Sequence, residues 1–302
     1  MYDVAILGGG PAGVTAAVYC ARYNLKTLLI SNNIGGWVNN AYVIENLPSQ
    51  KSIYGSELGK SYKEQLKANG VEVKKEAALT IRKEKDFHIE TSKNSYTAHY
   101  IIYALGTKKR MLNVGESRFL GQGVHTCATC DAPFYRDETV AVIGGNDGGA
   151  KSALLLSEYA KNIYIIELME KLPMEPALKQ KILNHDKIDV FTGVCVKEFI
   201  GEEKLKGIKL TDGRELNIGG AFIEIGSDPN VEMARSAGVE IDKFNCINVD
   251  ASQLTNVDRL YAAGDLTNNS NNLRQIVTAQ AEGAVAAQAI YKRYLTKATN
   301  ES

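Results

Sequence analysis

At 302 residues, with 44% hydrophobic and 23% charged side chains, the chain has an ordinary globular composition and length enough for two domains with separate cores. Its 35 basic and 35 acidic side chains cancel, which removes any global attraction to nucleic acid or to an anionic membrane surface. No apolar run reaches the roughly 18 residues of a membrane span, the N-terminus carries no basic leader, and five cysteines are too few for a disulfide framework, so a reducing, cytoplasmic location is expected.

Residues 3–7 form an apolar run suited to a buried parallel strand, followed by Gly8-Gly9-Gly10-Pro11-Ala12-Gly13 and a helical stretch over 14–23. In a dinucleotide-binding βαβ unit the three spaced glycines make the tight turn (Gly8), the approach to a pyrophosphate (Gly10) and the contact of helix with strand (Gly13). The next strand, 27–30, ends in Ser31-Asn32-Asn33 where an acid would hold a ribose; Ser31 offers an uncharged hydroxyl instead. Gly35-Gly36-Trp37 then lets the chain run close to a flat ring system, on which Trp37 either stacks or merely packs.

A helix is expected over 56–69, and its lysines Lys60, Lys63 and Lys67 read as a solvated face. Short alternating runs at 71–73, 87–91 and 96–98 suggest a small antiparallel sheet, with the polar stretch 74–85 a solvated strand or loop. An apolar strand over 100–104 meets Gly106-Thr107, and the basic run Lys108-Lys109-Arg110 marks a domain boundary.

Next comes Cys127-Ala128-Thr129-Cys130-Asp131. Two thiols three positions apart can close into one disulfide, and the adjoining carboxylate can protonate a departing thiolate. A zinc site would need two further ligands at matching spacing; Cys20, Cys195 and Cys246 are isolated and the four histidines, His88, His99, His125 and His185, are scattered, so no metal is expected.

A second strand, turn and helix follow at 139–143, Gly144-Gly145-Asn146-Asp147-Gly148-Gly149 and 150–160. Asn146 replaces the middle glycine and should obstruct a pyrophosphate. The strand 163–166 ends in Glu167, an acid suited to the ribose of NAD and repellent to the 2′-phosphate of NADP. Further strands are expected within 190–199, 207–211 and 221–225. The chain then returns to the first domain, where Ala262-Ala263-Gly264-Asp265 ends a strand and Leu273-Arg274-Gln275 opens a long helix over 276–294. Asp265 reads as an acceptor for a ribityl hydroxyl or as a helix-capping acid.

In order along the chain, these motifs resemble the low-molecular-weight thioredoxin reductases over nearly its whole length: the first glycine turn, Gly35-Gly36, Glu45-Asn46, the Cys127–Asp131 run, the second glycine turn, Ala262–Asp265 and Arg274-Gln275. The resemblance implies an α/β fold of two Rossmann-like, three-layer domains: a discontinuous FAD-binding domain over 1–108 and 238–302, and an NAD(P)-like domain over 109–237 that carries the redox disulfide. It implies a homodimer, and FAD contacts at Gly8, Gly10, Pro11, Ala12, Gly13, Gly36, Asn46, Gly106, Asp265, Arg274 and Gln275, to which position adds Ser31 and Trp37. Cys130 would lie nearer the flavin, Cys127 would be its partner and Asp131 the general acid.

Two departures set the chain apart. NADPH-dependent members carry a His-Arg-Arg type run where this chain has Glu167-Leu168-Met169, and glycine where it has Asn146. It therefore resembles the subgroup that does not use pyridine nucleotides, some members of which take electrons from reduced ferredoxin. The expected activity is transfer from such a donor, through FAD and Cys127–Cys130, to thioredoxin. Competing readings are an NADH- or NADPH-dependent thioredoxin reductase, a flavin dithiol oxidase and a non-catalytic flavin scaffold.

Overall fold

The computed structural model describes residues 1–41 and 43–300, with the backbone alone at 272 and 297–300. The chain begins with β1 (Tyr2–Leu7), α1 (Pro11–Arg22), β2 (Thr27–Ile30), α2 (Gly55–Ala68), β3 (Glu72–Lys74), β4 (Ala78–Lys83), β5 (Phe87–Thr91) and β6 (Ser95–Tyr103). A second compact unit, Lys109–Ser227, holds β7 (Val124–His125), α3 (Ala128–Asp131), β8 (Thr139–Ile143), α4 (Asp147–Leu156), β9 (Asn162–Ile166), α5 (Pro176–Leu183), β10 (Ile188–Phe191), β11 (Val196–Gly201), β12 (Leu205–Leu210), β13 (Glu215–Asn217) and β14 (Gly220–Ile223). The chain then rejoins the first unit with α6 (Glu232–Ser236), β15 (Leu260–Ala262) and α7 (Ile276–Asn300).

In the first unit the sheet runs β3-β2-β1-β6-β5-β4, with β15 also paired to β6. Strands β3, β2, β1, β15 and the second half of β6 are parallel, and β4, β5 and the first half of β6 are antiparallel. The continuous apolar run of β1 follows from burial on both faces. Val4 and Ile6 pack with α1 and α7 residues such as Ala16, Ala286 and Ile290, while Ala5 and Leu7 pack with Phe87, Ile89, Val231 and Ala234. Helices α1 and α7 approach closely because their facing positions are small: a Cβ on Gly283 would lie 2.2 Å from the Ala12 carbonyl oxygen.

Several expectations change here. Residues 71–73 do not join an antiparallel sheet; β3 extends the parallel sheet beside β2, because its backbone is one α2 crossover away from that edge. The expected strands 96–98 and 100–104 are one strand, β6, and the polar stretch 74–85 contains β4. The return to the first unit comes at Asp228, earlier than residue 238. Asn230 already donates to the Gly106 carbonyl there, and Val231, Ala234 and Val239 are buried in the first unit's core.

The second unit has a five-stranded parallel sheet, β7-β14-β8-β9-β10, and an antiparallel meander, β11-β12-β13. Residues 190–199 divide between the two. Helix α4 starts three residues before the expected 150, because Asn146 caps it. Helix α7 continues through Asn300, beyond the expected 294 and into the polar tail 297–302, of which 301 and 302 lie outside the described residues. Among the described residues no helix is long and apolar enough to cross a membrane.

Candidate active site and cofactor cavity

A cavity of about 600 Å³ opens in the first unit over the end of β1. Gly8, Gly10, Pro11, Ala12, Ser31, Gly36, Trp37, Gly106, Asp265, Arg274 and Gln275 all line it. Gly8 turns the chain with φ of 112°, where a Cβ would meet the Ala104 carbonyl oxygen at 2.1 Å. At Gly10, the N-cap of α1, a Cβ would meet nothing within 4 Å, and among the described residues no side chain caps the helix. The first-turn N–H groups and the positive end of the helix dipole thus face the cavity.

Two of the sequence-predicted residues stand behind this lining. Gly13 lies under the turn, its Cα so close to the Gly8 carbonyl that a Cβ would fall 1.9 Å from the oxygen. Asn46 donates from Nδ2 to the Gln275 Oε1 at 2.9 Å and so orients a residue that does line the cavity. Ser31 Oγ donates to the Asn33 carbonyl and receives the Asn33 N–H, a local turn at the cavity wall. The Trp37 indole N–H donates to the Thr107 carbonyl at 2.9 Å, which fixes the ring against the wall.

Asp265 has its carboxyl pushed up to about 6, first by burial and then by the Glu282 charge, against the lowering effect of Arg274. Glu282 is buried and holds the loop before α7: it accepts from the Gly264 N–H at 2.8 Å, Thr267 Oγ1 at 2.9 Å and Ser270 Oγ at 2.6 Å. Glu76, also on the cavity wall, is absent from the sequence reading, which places 74–85 in solvent. It is buried and accepts from Thr91 Oγ1 at 2.5 Å, Asn94 Nδ2 at 2.8 Å and the Tyr96 hydroxyl at 3.0 Å, and the Thr91 bond above all holds its carboxyl below the usual range.

In the second unit Cys127 and Cys130 are joined by a disulfide with Cα atoms 5.4 Å apart. Cys127 is the N-cap of α3, and its Sγ accepts the Cys130 N–H at 3.2 Å. Asp131 Oδ2 lies 2.8 Å from His125 Nδ1, and His125 Nε2 lies 2.5 Å from the Tyr135 hydroxyl. A cavity of about 300 Å³, lined by His125, Thr126, Asp131 and Phe134 among others, opens beside them. Neither His125 nor Tyr135 is singled out by sequence; only the folding of α3 back toward the end of β7 brings them together. Cys20 is buried in α1, its thiol pushed up to about 12 by burial, and takes no part.

The second glycine turn contrasts with the first. Asn146 Oδ1 accepts the Gly149 N–H at 3.1 Å, and its Nδ2 donates to the Glu224 carbonyl at 2.5 Å. The buried Glu224 side chain accepts from Ser152 Oγ at 2.9 Å and pairs with Lys109. Glu167 is buried as well, and both its oxygens are taken by backbone N–H groups, of Gly145 at 2.6 Å and Met169 at 2.8 Å. Two carboxylates and an amide thus occupy the neighbourhood where a pyrophosphate would meet backbone N–H groups.

A family model described as pyridine nucleotide-disulphide oxidoreductase matches residues 2–283. A thioredoxin reductase of Treponema pallidum is 36% identical over 297 residues, covering 95% of each chain. Among solved structures, the thioredoxin reductases of T. acidophilum (36% identity, 97% of this chain and 99% of that one) and Lactococcus lactis (34%, 97% and 98%) each align with a TM-score of 0.92.

Proposed function

The chain belongs to the pyridine nucleotide-disulphide oxidoreductase family, whose thioredoxin reductases are FAD-binding flavoproteins, and from that premise we propose that it is a thioredoxin-disulfide reductase fed by a donor other than a pyridine nucleotide, namely reduced ferredoxin. The observation that carries the donor assignment is the second glycine turn. Asn146 takes the Gly149 N–H, and the Glu167 carboxylate takes the Gly145 N–H and puts a negative charge beside the turn, while Glu224 is paired with Lys109. An anionic dinucleotide is disfavoured there both by the loss of its donors and by like-charge repulsion. Ferredoxin is named from the resemblance to the pyridine-nucleotide-independent subgroup.

The first unit's residues fit FAD. The uncapped N-terminus of α1, with Gly8, Gly10, Pro11 and Ala12, suits a pyrophosphate, and the Ser31 hydroxyl suits the adenosine ribose. Gly36, Trp37 and Gly106 wall the ring region, Asp265 accepts from a ribityl hydroxyl, and Arg274 and Gln275 complete the wall, with Asn46 and Gly13 holding the lining from behind. When bound, the flavin supplies the exchange between single electrons and electron pairs that a dithiol requires. Opening the Cys127–Cys130 disulfide takes two electrons and two protons, and Asp131 is the acid that protonates the thiolate released. The dithiol then reduces the disulfide of thioredoxin by exchange. The assembly implied by the resemblance is a homodimer.

The test is to mix the oxidised protein anaerobically with NADPH, NADH and reduced ferredoxin in turn and follow the flavin absorbance. Bleaching by ferredoxin alone is the expected result. Rapid bleaching by NADH or NADPH would overturn the donor assignment and leave a pyridine-nucleotide-dependent reductase.

A further inference from the structure

We infer that His125 is a positioning residue and proton store for Asp131, so that the acid serving the Cys127–Cys130 pair is a hydrogen-bonded His–Asp pair; this deepens the reading above and rests on Asp131 acting at the disulfide.

The ring is held by stacking on one face, an edge contact and a hydrogen bond at each nitrogen. His125 ends β7 opposite Phe222 of β14, and the two rings stack at 5.3 Å between centroids and 26° between planes. Tyr135 meets the imidazole edge-on at 5.3 Å. Nδ1 is aimed at Asp131 Oδ2 (2.8 Å) and Nε2 at the Tyr135 hydroxyl (2.5 Å). The His125 side chain is 10% exposed and that of Asp131 27%, so the carboxylate is the more open end of the pair, facing the cavity it shares with Thr126 and Phe134.

This arrangement tolerates the imidazole in both charge states. A neutral ring donates from Nδ1 to Asp131 and accepts from the Tyr135 O–H at Nε2; an imidazolium donates from both nitrogens, and the phenol oxygen accepts. Burial, then the charges of Asp131 and Glu138, push the Tyr135 phenol up to about 12, so it keeps its own proton throughout the neutral range. Among the described residues, the titratable groups set around the ring are Asp131 on α3, Tyr135 after it and, near Tyr135, Glu138; from β14 the apolar Phe222 stacks on it.

The proton step balances without moving an electron. The O–H proton of the Asp131 carboxyl passes to the sulfur of the released thiolate, leaving a thiol and a carboxylate. The Nδ1 proton of the imidazolium replaces it, and the neutral ring keeps its Nε2 proton, which it goes on donating to the Tyr135 hydroxyl oxygen. When the dithiol later attacks a substrate disulfide, the same pair takes the proton back.

The test uses the FAD-loaded enzyme, reduced anaerobically with one equivalent of dithionite in a stopped-flow instrument across the neutral pH range. The return of oxidised-flavin absorbance reports opening of the disulfide. In His125→Gln, opening should slow on the order of 100-fold near neutrality and its pH profile should differ from that of the wild type, while FAD content is unchanged. A His125→Gln enzyme with the wild-type rate and profile would overturn the inference. Should that variant not fold, Tyr135→Phe gives the same readout: a displaced profile supports the relay and an unaltered one overturns it. Asp131→Asn separates the two levels. If it leaves opening unaffected, the role of Asp131 falls and this inference with it; a slow Asp131→Asn beside an unaltered His125→Gln removes the inference alone.

Discussion

Gly10 and Asn146 stand at the same place in two copies of one turn with nearly the same backbone, φ −75° and ψ −175° in the first, φ −82° and ψ −178° in the second. Neither conformation demands glycine. What separates the turns is the side chain: at Gly10 the space a Cβ would point into is open, and at Asn146 an amide fills it and caps the helix.

Gly10→Asn should therefore fold and lose its flavin. The substituted amide would cap α1 as Asn146 caps α4, competing with the cofactor for the first-turn N–H groups. A loss of about 100-fold in FAD affinity, the equivalent of about 3 kcal/mol, is expected from titration of the apoprotein, with unchanged circular dichroism.

Asn146→Ala removes a cap and a hydrogen bond to the Glu224 carbonyl. Denaturant unfolding should show a loss of about 1–2 kcal/mol. The variant should gain no oxidation of NADPH, since Glu224 and Glu167 still stand beside the turn.

Cys127→Ser and Cys130→Ser should each abolish reduction of protein disulfides while the protein stays yellow. Thioredoxin turnover and flavin absorbance, read on the same sample, check both halves. Retained turnover in either variant would sink the dithiol route.

Asp265 gives the apoprotein a pH signature. Its carboxyl ionises near 6 in the fold against an ordinary value of 3.8, so the folded state holds the proton more tightly than the unfolded chain. Stability is lost as pH rises through that window, by at most about 3 kcal/mol from this group. Asp265→Asn should melt with the wild-type apoprotein below the window and above it in temperature once pH exceeds 6, and it should bind FAD less tightly.

Local chemistry is what the sequence makes legible. Strands at 27–30 and 139–143, both glycine turns and the Cys127–Asp131 run are contiguous, so their places in the fold can be read from local spacing. Glu76, His125 and Tyr135 are illegible for the opposite reason. Glu76 is buried only because β4, β5 and β6 align Thr91, Asn94 and Tyr96 around it, and His125 meets Asp131 only because α3 turns back on β7. A period-2 pattern also cannot name its partner strand, which is why 71–73 reads as antiparallel and pairs parallel.

Strand β6 imposes an order of assembly. Its first half pairs with β5 across a short turn, and Ile101–Tyr103 pair on one side with β1 and on the other with β15. During synthesis, β1 and β5 are already present when β6 leaves the ribosome, but residues 260–262 emerge only after the whole of Lys109–Ser227. One margin of the apolar run Ile101–Tyr103 stays unclosed for that interval, the time at which the nascent chain is most open to adopting a foreign strand.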